Sequence, residues 1–199
     1  MTPELLASLT RARQDGRPVA LATRLADGAQ WLLPDRAEPA ELNAAAERAL
    51  ADDRSQTVRI GETDWFLHAY NPPLRLIVVG AVHIAQGLVP FASQVGFAVT
   101  VVDPRRSFAS DERFPDVAVR TDWPDEAMDA LRPDSRTAVI TLTHDPKLDD
   151  PALDGALKSP AFHIGAVTAP EIALSIVAEL VAARRGALAR PAEKEKQAA

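Results

Sequence analysis

The 199-residue chain contains no cysteine and no long apolar run, and each absence excludes particular kinds of protein. Without cysteine, these residues form no disulfide, thiolate metal site or iron–sulfur cluster, and they carry no persulfide. The longest apolar runs fall far short of the ~20 residues that a membrane-spanning helix needs, so we expect no such helix. The first residues, Met1 to Glu4, lack the basic and apolar regions of a signal peptide, so we expect a cytoplasmic protein.

The charge balance argues against another class of function. The formal net charge is −6, whereas general binding to nucleic acid needs a basic face. Hydrophobic residues make up 47% of the chain and charged residues 25%, an ordinary globular balance. The length suits one domain, or one domain with a small companion. We therefore expect a globular protein that binds neither nucleic acid nor a membrane.

Residues 1–70 predict a small α/β lobe. Thr2-Pro3-Glu4 precedes an apolar-periodic stretch and is a typical helix start. Asp27-Gly28 predicts the turn of a hairpin. Asn71-Pro72-Pro73 forms a stiff boundary after the lobe. Besides the first helix, the pattern predicts a helix over Pro39–Asp52 and strands over Pro18–Leu25, Gln30–Leu33, Thr57–Ile60 and Asp64–Ala69.

Residues 74–186 predict a Rossmann-like α/β domain with a doubly wound parallel sheet. Leu74–Val79 is a nearly continuous apolar run, which is typical of a strand buried on both faces. Residues 187–199 are charged and alanine-rich and predict a flexible tail. The predicted strands are Leu74–Val79, Phe97–Val102, Val117–Arg120, Thr137–Thr143 and Ala161–Val167, and the predicted helices are Ile84–Val95, Asp125–Leu131, Pro151–Leu157 and Pro170–Arg185.

The first candidate binding segment follows the first strand of this domain. A dinucleotide fingerprint needs small residues at three places, which here are Gly80, Val82 and Ala85. Valine at the second place disfavours close approach of a pyrophosphate. The start of the next helix is still a suitable place for an anion, and His83 in its first turn is a candidate hydrogen-bond donor.

Two further candidate segments follow neighbouring strands. Asp103 ends the second strand, where a carboxylate would accept hydrogen bonds from ribose hydroxyls, and Arg105 and Arg106 are suited to clamping phosphate. Thr143-His144-Asp145 follows the fourth strand. Ligands of open α/β sheets bind beyond the carboxyl ends of the strands, so the three segments are expected to face one crevice.

Simpler interpretations of these residues remain open. His144 is suited to carrying a proton or binding a metal, with Asp145 and Asp149 orienting it, but Asp149 or Asp150 also suits a helix cap. His163 and His68 lie within strands and are interpreted as structural. We assign no catalytic or metal-ligating residue, and the candidate cofactor-binding residues are Gly80, Val82, His83, Asp103, Arg105, Arg106, Thr143, His144 and Asp145.

The segments GAVHIAQ and THDPKLDDPAL, with AFHIGA and TAPEIALSIVAELVAARRG after them, resemble the XdhC/CoxI family over residues 72–186. The resemblance implies an accessory protein that binds molybdenum cofactor and helps insert it into an apo molybdenum hydroxylase of the xanthine dehydrogenase or carbon monoxide dehydrogenase type. It also implies a Rossmann-like C-terminal domain, a homodimer and contact with a cysteine desulfurase. The chain departs from the family pattern in being short and in lacking the family's N-terminal glycine–glycine–cysteine motif.

Three functions follow from these observations. The resemblance favours the maturation factor, whose ligand is molybdopterin or a nucleotide form of it. The order strand, Gly80, helix, strand, Asp103 favours an NAD(P)-dependent oxidoreductase. The missing motifs favour a non-catalytic paralogue that only docks on a partner.

Overall fold

The computed structural model describes residues 1–34, 40–166 and 172–185, with the side chains of residues 172–175 left undescribed. The chain divides into two compact units, Met1–Pro72 and Pro73–Ala199. Among the described residues, no helix is both long and apolar enough to cross a membrane.

The first unit is a four-stranded antiparallel sheet with two helices. Its elements are α1 (Pro3–Gln14), β1 (Val19–Arg24), β2 (Gln30–Leu33), α2 (Ala40–Ala51), β3 (Gln56–Ile60) and β4 (Thr63–Tyr70), with the strand order β2-β1-β4-β3. The Thr2 hydroxyl accepts a hydrogen bond from the Leu5 N–H and caps α1, and Pro3 follows it. The strands predicted around the Asp27-Gly28 turn pair in antiparallel register, which confirms the hairpin.

Helix α2 packs its alanines and Leu42 against one face of this sheet, where Trp65 and Leu67 are buried. The rings of Trp31 and Trp65 meet edge to face at 5.1 Å, and the Arg24 guanidinium lies 5.3 Å from the Trp31 ring. Helix α1 contributes Leu9 and other residues to a smaller apolar cluster. The unit therefore has its own core. Along β4 the residues near the middle alternate between buried and exposed, whereas the first four residues of β1 are all buried.

The second unit is a five-stranded parallel sheet in the order β7-β6-β5-β8-β9. Its elements are β5 (Leu74–Val79), α3 (His83–Gln94), β6 (Phe97–Val102), β7 (Ala118–Arg120), α4 (Pro124–Leu131), β8 (Thr137–Thr141), α5 (Pro146–Leu157), β9 (His163–Ala166) and α6 (Ile172–Arg184). This arrangement confirms the predicted Rossmann-like doubly wound sheet.

Helices cover both faces of the parallel sheet. Leu88 of α3 and Leu180 of α6 pack on the face that carries Val78. Met128 of α4 and Ala156 of α5 pack on the opposite face, which carries Val79. Burial on both faces is the physical reason that β5, β6 and β8 are almost continuously apolar in sequence.

The structure corrects the predicted start of α5. The helix was expected to begin at Pro151, but it begins at Pro146, with Asp145 as its N-cap. Pro146 takes the first helical position, where a proline costs no hydrogen bond, and Pro151 lies within the helix. The expected helix start at Pro170 and the tail 187–199 lie outside the described residues.

We predict that replacing Gly80 by alanine destabilises the protein by about 2–4 kcal/mol. Gly80 has φ of +113°, and a Cβ there would lie 2.7 Å from Thr143 Cγ2. That methyl group cannot easily turn away, because the Thr143 hydroxyl is hydrogen-bonded to Asp149 at 2.6 Å. Urea denaturation followed by far-UV circular dichroism measures the effect.

Gly87 provides the matched control for this substitution. It lies within α3 and is exposed, and nothing lies within 4 Å of the Cβ that alanine would add. Gly87→Ala is expected to stabilise the protein by about 0.5–1 kcal/mol, because alanine favours the helix. Similar effects of the two substitutions would contradict the constraint at Gly80.

Candidate functional site at the carboxyl edge of the parallel sheet

The three candidate segments follow neighbouring strands. β5 lies between β6 and β8, with Val79 in register with Val102 on one side and Thr141 on the other. Gly80, Asp103 and Thr143 therefore follow the carboxyl ends of adjacent parallel strands, as the sequence predicted from the topology. The geometry of each segment determines what a ligand would meet there.

The segment after β5 is held by hydrogen bonds to the end of β6 and to the residue that follows it. The Gly80 N–H donates to the Val102 carbonyl at 2.8 Å, and the Ala81 N–H donates to Asp103 Oδ2 at 2.9 Å. Val82 is the N-cap of α3 and makes no side-chain cap hydrogen bond. The Ala85 N–H donates to the Val82 carbonyl at 3.1 Å, so in the first turn of α3 the N–H groups of exposed His83 and of Ile84 are the ones that suit an acceptor group.

Asp103 is fully buried, and its carboxylate meets donors on every side. Oδ1 accepts from the N–H and Nε of Arg105, both at 2.9 Å. Oδ2 accepts from Arg105 Nη2 at 2.7 Å and from the Ala81 N–H at 2.9 Å. In this arrangement the carboxylate ties two loops together and offers no oxygen to a ribose.

The pKa of Asp103 is lowered as the net result of opposing effects. Burial raises it and is the largest single effect. The Arg105 side chain, the N–H groups of Arg105 and Ala81, and the attraction of the guanidinium together outweigh burial. Asp103 is therefore a stable anion in the folded protein.

Arg105 is the cation that pairs with Asp103. Its side chain is 36% exposed, and its guanidinium lies 4.6 Å from the ring of exposed Phe108. The pKa of Arg105 is raised, first by the hydrogen bond to Asp103, and also by the charges of Asp103, Asp145 and Asp149. Asp145 and Asp149 lie in the segment that follows β8. Arg106, next along, is exposed.

The loop after β8 is organised by a carboxylate from α5. Asp149 accepts hydrogen bonds from the Thr143 hydroxyl at 2.6 Å and from the His144 N–H at 2.8 Å. These bonds hold His144 at φ of +58°, a left-handed conformation, with its side chain exposed. Asp145 caps α5 by accepting from the Lys147 N–H at 3.0 Å.

The expectation that Asp149 or Asp150 caps α5 is therefore wrong. So is the expectation that Asp149 orients the His144 imidazole, because its carboxylate binds the backbone N–H instead. Both differences arise because α5 begins at Pro146. Asp149 therefore lies in the first turn of the helix, where it accepts hydrogen bonds from the preceding loop.

Residues 76–170 match the family model described as the XdhC Rossmann domain. This segment is similar to that domain, and we refer to it as the XdhC domain. The matched segment contains the loops after β5, β6 and β8, so all nine candidate residues lie in the XdhC domain.

A solved structure from Bacillus halodurans, described as a xanthine dehydrogenase, has a similar fold. The TM-score is 0.73 at 21% identity, and the alignment covers 93% of this chain and 68% of that chain. At this identity the likeness shows the fold alone. No curated protein matches the chain.

Arg113 and Phe108 are contact residues of the XdhC domain that the sequence reasoning missed. Arg113 Nη1 donates to the Ala81 carbonyl at 2.8 Å and to the Phe108 carbonyl at 2.7 Å. Both residues lie in the connection between β6 and β7, beyond the strand ends that the topological rule searches. The signal for them in the sequence was the presence of an arginine and a phenylalanine in a long, polar connection.

The remaining histidines lie elsewhere. His163 begins β9 and is half-buried, and burial lowers its pKa while the charge of Glu179 acts in the opposite direction. His68 belongs to the first unit and stacks on Tyr70 at 4.2 Å. Within residues 1–34, 40–166 and 172–185, no group of three or more His, Asp or Glu side chains is placed to hold a metal ion.

We predict that Asp103→Asn destabilises the XdhC domain by about 1–3 kcal/mol, because the partly buried Arg105 loses its counter-charge. The folded-state pKa of Asp103 lies below its unfolded value of about 3.9, so its contribution is present above that pH. The contribution is lost as the pH falls through the folded-state pKa. Stability measured from pH 7 down to pH 3 should therefore fall more steeply in the wild type than in the variant.

The Arg24–Asp27 pair is the control for this prediction. It also has two side-chain hydrogen bonds, at 2.9 and 2.6 Å, but both side chains are exposed. The hydrogen bond from Arg24 is the main cause that lowers the pKa of Asp27 to about 2. Asp27→Asn is expected to change stability much less, since an exposed pair is screened by solvent. An Asp103 variant that behaves like it would disprove a structural role for the buried carboxylate.

Proposed function

We propose that the protein is an accessory protein of molybdenum hydroxylase maturation, of the xanthine dehydrogenase or carbon monoxide dehydrogenase type. In this function it binds molybdenum cofactor at the carboxyl edge of the parallel sheet and aids its insertion into the apo-hydroxylase. The observation that carries the proposal is the match of residues 76–170 to the XdhC Rossmann domain, because it covers the three loops of the candidate crevice.

The residues at this edge fit the organic part of such a cofactor, a pterin that carries a phosphate. The uncapped start of α3 after Val82 suits an anionic oxygen, and Arg105 and Arg106 add positive charge. Exposed His83 and His144 are suited to hydrogen bonding with the polar edges of a pterin. Gly80, Thr143 and Asp145 shape the backbone around these groups and complete the proposed binding set.

The 199 residues do not fit a role in which the protein binds molybdenum or sulfur through its own thiolate, because they contain no cysteine. When bound, the cofactor supplies the metal centre that the hydroxylase later uses, and this chain holds, shields and orients it. Any sulfur that the cofactor acquires comes from another protein, and we propose a cysteine desulfurase as that partner. A cytoplasmic homodimer belongs to the same proposal.

The structure gives less support to an NAD(P)-dependent oxidoreductase. Val82 replaces the glycine that would admit a pyrophosphate, and both oxygens of Asp103 are taken by protein donors. A dinucleotide would have to break the Asp103–Arg105 pair to reach the carboxylate. The accessory function requires no such change.

The proposal is tested by co-expressing the protein with an apo-hydroxylase and purifying it anaerobically. Native mass spectrometry is expected to show a pterin-containing ligand bound to the protein. A sample that carries no pterin and binds none when molybdenum cofactor is added would reject cofactor binding and favour a docking paralogue. A sample that instead binds NAD(H) or NADP(H) in a titration would favour the oxidoreductase.

We predict that Arg106→Ala weakens binding of molybdenum cofactor about tenfold, because an exposed cation at the crevice is lost. Arg11→Ala is the matched control, since Arg11 is also an exposed arginine but lies on α1 of the first unit. Equilibrium dialysis with cofactor released from a purified hydroxylase measures the dissociation constants. Equal weakening by both substitutions would show that net charge, and not the crevice, controls binding.

A further inference from the structure

Arg113 contacts three acceptors around the loop that begins α3. Besides the carbonyls of Ala81 and Phe108, its Nη2 donates to Gln86 Oε1 at 3.1 Å. The rings of Phe108 and Phe114 each lie 5.7 Å from the guanidinium carbon. One side chain from the β6–β7 connection thus contacts the loop, the helix and its own connection.

These contacts complete a clamp on Ala81. Its N–H is bound by Asp103 at 2.9 Å, and its carbonyl is bound by Arg113 at 2.8 Å. Both polar backbone atoms of this buried residue are therefore held by side chains that follow β6. The next residue, Val82, is the uncapped start of α3. The clamp consequently sets the position of the N–H groups that the proposed function assigns to the ligand.

The geometry points to Arg113 as a positioning residue of the cofactor-binding loop. It acts through Ala81, holding the start of α3 where an acceptor group of the ligand can bind, and it does not itself contact the ligand. Arginine suits this role because its planar fork serves several acceptors at once, whereas lysine presents a single ammonium group. This role rests on the proposed function, since it requires a ligand at the crevice.

Arg75 offers a matched control at the opposite edge of the same sheet. It is the second residue of β5 and donates to the carbonyls of Leu131 and Arg132, both at 2.8 Å. It also pairs with Asp134 at 3.3 Å. Arg75 therefore clamps a backbone segment much as Arg113 does, but at the amino ends of the strands. Its loss should affect stability without affecting the loop after β5.

The test compares Arg113→Gln, Arg113→Lys and Arg75→Gln in the full chain. Hydrogen exchange measured by mass spectrometry is expected to become about tenfold faster over residues 80–87 in Arg113→Gln and to stay unchanged there in Arg75→Gln. The dissociation constant of molybdenum cofactor is expected to rise about tenfold in Arg113→Gln and less than twofold in Arg75→Gln. Arg113→Lys should fall between the wild type and Arg113→Gln in both measurements.

The two measurements separate the inference from the proposed function. Unchanged exchange over residues 80–87, or equal losses of affinity in the Arg113 and Arg75 variants, would overturn the positioning role. A wild-type protein that binds no cofactor would reject the proposed function and the role of Arg113 in binding, although exchange would still show whether it clamps the loop. If Arg113→Gln does not fold, Arg113→Lys decides by the same criteria.

Discussion

The buried carboxylate of Asp103 joins the first two loops of the parallel sheet, and the candidate site depends on that junction. Its four hydrogen bonds come from the Ala81 N–H and from three donors of Arg105. A carboxylate without these donors would be costly in a fully buried position. The same bonds turn Arg105 back toward the sheet, where Asp145 and Asp149 act on its charge. One ion pair thereby fixes the second loop and links it to the first.

This use of Asp103 changes what the fold implies about ligands. In a dinucleotide-binding domain, an acid at this position accepts hydrogen bonds from a ribose, and it must be accessible to do so. Here the acid serves the protein, while the groups left accessible are cations, histidines and the start of a helix. The crevice therefore favours an acceptor-rich or anionic ligand over a ribose diol. This preference agrees with the ligand class that we propose.

The strands of the buried parallel sheet could be predicted from the sequence. Strands covered on both faces are continuous apolar runs, and their carboxyl ends mark Gly80, Asp103 and Thr143 as neighbours. The partners of these residues could not be predicted in the same way. Asp103 binds Arg105 because the turn between these two residues brings the guanidinium back to the carboxylate. The sequence alone is equally compatible with an accessible carboxylate that binds a ribose.

Contacts between different elements could not be predicted from the sequence either. The bond from Arg113 to Ala81 joins residues far apart in the chain, and no periodic pattern records it. The sequence indicates that Asp149 suits a helix cap. Its partners in the structure are Thr143 and His144, and they depend on where α5 begins. Proline is favoured at the first position of a helix, and this segment contains both Pro146 and Pro151, so local preference does not fix the start.

The tryptophans give each unit its own optical reporter. Trp31 and Trp65 meet edge to face in the first unit, so their coupled transitions should contribute a near-ultraviolet circular dichroism signal that follows the packing of that unit. Trp123 precedes α4 in the second unit and is 52% exposed, so its emission is open to quenching by iodide. The packed tryptophan pair and the exposed tryptophan can thus be distinguished optically in the unlabelled protein.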